Sequence, residues 1–195
     1  MKPGVTLYLI RHGETEWNRE QRYQGQRDIP LNDTGRAQAR RHGEILRSLM
    51  PAIISFDFVS SPLGRAVETM QLIRAALGLE PGHFRTEPEI IELCYGHWEG
   101  ELATGLREKD PVGVTGKMTD PFGWRPNNGE SYHDLQIRVA AWLERIDRNT
   151  VAVTHGGVSR VARGAIFGIE AERVPFLEAP QDVILKLTAG AMEWL

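Results

Sequence analysis

The stretch Leu7-Tyr8-Leu9-Ile10-Arg11-His12-Gly13-Glu14-Thr15-Glu16-Trp17-Asn18 decides how the rest of the chain is read. An apolar run from Val5 to Ile10, broken only by Thr6, is what a strand covered on both faces looks like. It stops at a charged pair and a glycine, which delivers Arg11 and His12 to the rim of a sheet, where open α/β sheets bind ligands. Imidazole, with an unperturbed pKa of about 6.5, serves as nucleophile or base near neutrality, and an adjacent guanidinium stays cationic. Such a pair suits a phosphate. The same histidine could instead be a strand-end side chain satisfied by a backbone carbonyl.

Two further strand ends carry residues of the same kind. Phe56 to Ser60 is a short strand running into Ser61-Pro62-Leu63-Gly64-Arg65, and Thr150 to Thr154 ends at His155-Gly156-Gly157. In a parallel sheet carboxyl ends converge, so Arg11, His12, Arg65 and His155 could surround one anion. Guanidinium forks bind phosphate oxygens in bidentate fashion.

Between these strands lie helices. Asp33-Thr34 opens one whose inner face holds Ala39, His42, Ile45, Leu46 and Leu49, with Arg36, Arg40, Arg41 and Arg47 outside. Ser61-Pro62 reads as an N-cap followed by proline, opening a helix to about Leu77 that Gly78 closes. Tyr132, Leu135, Val139, Trp142, Leu143 and Ile146 share one helical face. Val158 to Phe167 is a further helix, and Asp182 to Thr188 with Ala191 to Leu195 form a terminal strand pair. Residues 88–128 hold ten glycines and prolines and show no long periodicity, so they read as an irregular excursion on the substrate side. The alternation predicts a single α/β domain over residues 1–195, a three-layer α/β/α sandwich around a mostly parallel sheet.

Composition narrows the classes. The chain has 195 residues, 41% hydrophobic and 25% charged, with a formal net charge of -3, as expected of a globular domain with a sizeable core. Its 19 Arg and 4 Lys are scattered among 26 acidic residues, which argues against nucleic-acid binding. Cys94 is the single cysteine, so there is no intrachain disulfide and no Cys-x-x-Cys site. No run reaches membrane-spanning length, and Val5 to Ile10 is too short for a signal-peptide core. A cytoplasmic protein with no membrane partner is expected; composition leaves the oligomeric state open. The six histidines form no metal-ligand spacing, so neither a metal nor a cofactor is expected. Gly113-Val114-Thr115-Gly116-Lys117-Met118 has the wrong glycine spacing for a nucleotide-binding loop, and Met118 stands where a hydroxyl would have to reach magnesium.

These residues together resemble the histidine phosphatase superfamily, the phosphoglycerate mutase-like family, from about Leu7 to Gly157. Arg11-His12-Gly13-Glu14-Thr15-Glu16-Trp17-Asn18 matches its defining motif. Leu31 to Ala39 is similar to its first helix entry, Ser60 to Thr69 to its second arginine motif, and Thr154 to Gly157 to its second histidine motif. Glu92-Leu93-Cys94-Tyr95-Gly96 resembles the segment bearing its proton donor.

The resemblance implies a mechanism. His12 attacks phosphorus through one ring nitrogen while Arg11, Arg65 and His155 hold the equatorial oxygens. Asn18, Gln24, Gly25, Tyr95 and Gly156 are implied on the binding surface, Gly25 for close backbone approach. Glu92 is implied as acid toward the leaving alkoxide and then as base toward water. A carboxylate beside a bound anion favours its protonated form, as acid catalysis at neutral pH requires. The partner is thus a small-molecule phosphate ester.

Family members include phosphatases and primer-dependent mutases. No lysine follows Tyr95-Gly96 until Lys109, no Arg-Arg pair follows Arg40-Arg41, and Glu99 and Glu101 are expected to repel a carboxylated substrate. Asn128-Gly129-Glu130-Ser131 is similar to the helix entry of the phosphatase branch. The phosphatase reading is therefore preferred; a phosphoglycerate mutase and a catalytically weak phosphate-ligand or phosphoprotein binder are the alternatives. His97, Trp98, Tyr95 and Trp124 either line the leaving-group side or pack.

Overall fold

Along the strand β1 (Leu7–Arg11) successive side chains enter two different cores. Leu7 and Leu9 join one buried cluster with Val59, Ala152, Leu135, Val139, Trp142 and Val161. Tyr8 and Ile10 join another with Phe58, Val151, Val153, Leu46, Met70 and Ile73. A period-2 strand with both faces apolar requires helices on either side. The computed structural model describes residues 1–49, 53 and 55–195 and has this three-layer arrangement.

The central sheet runs β3-β2-β4-β1-β5-β6, with β2 at Asp57–Ser60, β3 at Arg85–Thr86, β4 at Thr150–Thr154, β5 at Leu185–Leu187 and β6 at Met192–Trp194. The first four in this order are parallel and the last two are antiparallel, so the sheet is mixed with a parallel centre. Helices α2 (Asp33–Leu49) and α3 (Gly64–Ala76) cover one face, while α6 (Tyr132–Arg145) and α7 (Gly156–Phe167) cover the other. Short helices α1 (Glu16–Arg19), α4 (Leu106–Lys109) and α5 (Pro111–Thr119) lie in the connections.

Several local expectations shift. Leu49 is exposed although Leu46 is fully buried, because α2 runs past the core in its last turn. Its cap is Asn32, whose Oδ1 accepts the Gly35 N–H at 2.9 Å. Gly43 lets α2 and α3 approach closely, since a Cβ there would lie 2.6 Å from the Ile73 carbonyl oxygen. Helix α3 begins at Gly64, not at Pro62. Ser61 does not cap it in the usual way; its hydroxyl meets His155, and Asp28 from a distant loop accepts the Gly64 N–H at 2.7 Å.

Helix α7 starts two residues before Val158, with His155 as its N-cap residue. Residues 88–128 are more ordered than their lack of periodicity suggests. They contain 3₁₀ turns at Pro88–Ile90 and Gly96–Trp98 as well as α4 and α5. Asp110-Pro111 is the start signal of α5: the Asp110 side chain accepts the Gly113 N–H and proline occupies the first helical position. The helix is too short for periodicity to reveal.

Candidate active site

Register brings the three strand ends level. Arg11 pairs with Thr154 and Ser60 with Val153, so His12, Ser61 and His155 emerge side by side at one rim. The backbone continues this ladder: His12 N–H donates to Thr154 at 2.9 Å and Ser61 N–H to Val153 at 2.9 Å.

His12 is 2% exposed. Its Nδ1 lies 2.7 Å from the Gly13 carbonyl oxygen, which can only accept, so Nδ1 carries the proton. Arg65 Nε donates to Nε2 at 3.2 Å, consistent with a lone pair there. Burial, then the charges of Arg65 and Arg11, hold the His12 pKa well below its usual value, so the ring is neutral at neutral pH. The Gly13 carbonyl thus fixes the tautomer that leaves Nε2 without a proton, its lone pair toward Arg65.

Arg65 is buried and held by the turn that follows α1. Nη1 donates to the Arg27 carbonyl at 2.7 Å and Nη2 to the Gly25 carbonyl at 2.6 Å. Burial lowers its pKa to about 10, which keeps it cationic at neutral pH. Arg11 Nη1 donates to the Ala179 carbonyl at 2.6 Å, while its buried Nε has no protein partner. His155 lies ring against ring with His12, centroids 5.1 Å apart, and its Nε2 is 2.6 Å from the Ser61 hydroxyl. Its buried Nδ1 has no protein partner either. Burial first, and then Arg65, hold its pKa well below the usual value. Arg11 Nε and His155 Nδ1 are thus buried polar atoms of the kind that an anion's oxygens satisfy.

Glu92 faces these groups from across the cleft. Its Oε1 accepts the Leu93 N–H at 2.9 Å, and both carboxylate oxygens accept the Gly157 N–H in the first turn of α7. The segment bearing Glu92 is pinned through its backbone: Arg138 donates to the carbonyls of Glu89, Ile91 and Glu92, and Gln26 Nε2 donates to that of Glu92.

A cleft of about 130 Å³ joins Arg11, His12, Asn18, Gln24, Gly25, Arg65, Glu92, Tyr95 and Gly156 with three residues the sequence reading missed, Arg22, Tyr23 and Arg160. His155 stands behind its lining, against His12. Thr15 organises the loop: its hydroxyl donates to Gln24 Oε1 at 2.5 Å, and Asn18 completes a reciprocal cap with it. Gly25 has φ +55, and a Cβ there would collide with Glu99. A signal for Arg160 was present, since it lies one helical turn after Gly156 on the same face. Arg22 and Tyr23 belong to a loop, which leaves no periodic trace.

The excursion contributes less to the cleft than its aromatics suggested. Of His97, Trp98, Tyr95 and Trp124, only Tyr95 lines it; Trp98 is buried, packs on Trp124 at 4.4 Å and donates to Asp110 at 2.8 Å. Glu99 does not face a substrate. Its Oε1 accepts the N–H groups of Gln26 and Tyr95, and Glu101 pairs with Lys109. The expected repulsion of a carboxylated substrate by these two residues therefore has no structural basis. Among the described residues no cluster of three or more His, Cys, Asp or Glu side chains could hold a metal ion, and no helix is long and apolar enough to cross a membrane.

The sequence profile of the histidine phosphatase superfamily (branch 1) matches residues 7–194. The chain belongs to the histidine phosphatase superfamily. It is 32% identical over 184 residues to the glucosyl-3-phosphoglycerate phosphatase of Mycolicibacterium vanbaalenii, covering 88% of this chain and 78% of that one. It is 36% identical over 196 residues to the probable phosphoglycerate mutase GpmB of Salmonella paratyphi C, covering 98% and 88%. A solved mycobacterial glucosyl-3-phosphoglycerate phosphatase in complex with VO3 superposes with a TM-score of 0.80 at 27% identity, over 98% of this chain and 96% of that one. The chain is therefore an enzyme of the superfamily, with both phosphatases and mutases among its relatives.

Proposed function

We propose that this histidine phosphatase superfamily member hydrolyses small-molecule phosphate monoesters in the cytoplasm, by way of a phosphohistidine at His12 Nε2. The observation that carries the reading is the tautomer of His12: Nδ1–H is committed to the Gly13 carbonyl, so the neutral ring presents its Nε2 lone pair beside Arg65. In the first step Nε2 forms a bond to phosphorus as the ester P–O bond breaks, and Glu92 gives a proton to the departing oxygen. Arg11, Arg65 and His155 hold the three equatorial oxygens, with Asn18, Gln24 and the Gly25 and Gly156 backbone around them. In the second step Glu92, now a carboxylate, takes a proton from water, the water oxygen bonds to phosphorus, and the P–N bond breaks to restore the lone pair.

His12→Ala is expected to abolish hydrolysis of an activated ester, and rapid quenching of the natural enzyme to trap an acid-labile, base-stable phosphoenzyme. Undiminished turnover in His12→Ala, or a base-labile adduct, overturns the reading. The mutase-named relative supports a second reading. Incubation with 3-phosphoglycerate and a bisphosphorylated primer separates them: the phosphatase releases phosphate, and a mutase accumulates 2-phosphoglycerate.

A further inference from the structure

Lys117, in α5, reaches across the excursion into a group of aromatic rings. Its Nζ lies 4.8 Å from the ring centroid of Tyr23, 5.5 Å from that of Trp98 and 5.9 Å from that of Tyr95. Among the described residues it makes no ion pair with a carboxylate; its polar contact is a hydrogen bond of 2.9 Å donated to the Tyr23 hydroxyl. The helix is seated for this contact. Trp124 packs on Trp98, and Gly116 lies so close to Trp124 that a Cβ would come within 2.6 Å of its ring.

An ammonium group donates and cannot accept. The Tyr23 oxygen is therefore the acceptor, and the phenolic hydrogen is left to donate elsewhere. Tyr23 lines both the phosphate cleft and a wider adjoining cleft of about 320 Å³. That second cleft is also lined by Arg11, Asn18, Gln21, Arg22 and Gln181, together with Ala103. Most of its lining side chains are polar.

Building on the phosphatase reading, we propose that Tyr23, set by Lys117, forms a leaving-group subsite that selects phosphate esters of oxygen-rich alcohols over those of apolar ones. Lys117 is a positioning residue that acts through Tyr23. Its hydrogen bond to the oxygen occupies that acceptor and so turns the phenolic hydrogen away from Lys117. A site built to hydrogen-bond a substrate oxygen discriminates against the analogue lacking it, because the site's polar groups are then left unpaired.

The test compares kcat/KM for glycerol 3-phosphate and n-propyl phosphate, which share a three-carbon chain and differ in two hydroxyls. The natural enzyme prefers the glycerol ester. Lys117→Met and Tyr23→Phe each reduce that preference about three- to tenfold, chiefly through KM, the range expected for one hydrogen bond. Lys117→Arg, which keeps charge and donor, restores most of it. No preference in the natural enzyme, or a Lys117→Met variant that slows both esters equally, overturns the proposal. Tyr23→Phe keeps it testable if Lys117→Met folds poorly. Absence of phosphate release from every ester by the natural enzyme brings down the phosphatase reading as well, whereas an unmoved preference brings down this inference alone.

Discussion

Gly157 donates its backbone N–H to both carboxylate oxygens of Glu92, at 3.2 and 3.3 Å, and has no room for a side chain: a Cβ would lie 2.5 Å from Glu92 Oε1. The amide and the missing methyl together define where that carboxylate sits. Gly157→Ala should push Glu92 out of position. Turnover of esters with poor leaving groups should fall about a hundredfold, as displacements of about an ångström do, while an activated ester should lose much less. Steady-state kinetics on both ester types checks this; equal losses would mean that Glu92 is not the proton donor.

Arg65 uses three different nitrogens on three different partners, His12 Nε2 and the Gly25 and Arg27 carbonyls. A lysine cannot span them. Arg65→Lys should lower kcat about a hundredfold or more, within the range for losing a preorganised donor at developing charge. Thermal melting should also show destabilisation, because two carbonyls lose a charged donor.

Burial holds the pKa values of His12, His42 and His155 below the ordinary histidine value. Below about pH 6.5 the unfolded chain takes up protons on these residues that the folded protein refuses, so stability rises with pH in that window. Above it both states are neutral and the contribution is fully present. Each such histidine costs about 1.4 kcal/mol per pH unit as pH falls from about 6.5 toward its folded value. Urea unfolding at pH 7, 6 and 5 measures the slope, and a flat profile would contradict it.

Glu99, with a side chain 10% exposed, accepts the backbone N–H groups of Gln26 and Tyr95 and stands where a Cβ at Gly25 would go. Glu99→Ala strips two amides of their acceptor and should cost about 2 kcal/mol or more. Because the turn it braces carries the carbonyls that hold Arg65, inhibition by inorganic phosphate should weaken in parallel. Calorimetry and phosphate inhibition constants check the two effects.

Arg11, His12, Arg65 and His155 were legible because each sits within a few residues of a strand end, and strand ends show as abrupt stops in hydrophobicity. Arg138, Glu99 and Gln26 left no such trace. Arg138 and Gln26 hold backbone carbonyls, and Glu99 the Gln26 amide, that lie far away in sequence, as with the 46 positions that separate Arg138 from Glu92. Ser61 misled for a related reason: Ser-Pro is a good local helix start, but the tertiary contact to His155 takes its hydroxyl. In 88–128 helices of four and nine residues are shorter than the window over which a 3.6-residue period can be recognised.

Because β4 lies between β1 and β2, the strands that lead into His12 and into the helix bearing Arg65 never pair with each other. Their separation is set by the width of one intervening strand, about 4.8 Å on each side. That makes the rim where these strands end a gauge block whose width is fixed by amide spacing, with Arg65 then set on it by the Gly25 and Arg27 carbonyls. The segment that follows Glu92 is keyed into this block through Glu99, so a substitute for residues 96–128 preserves the setting of Arg65 only if it keeps a carboxylate at that position.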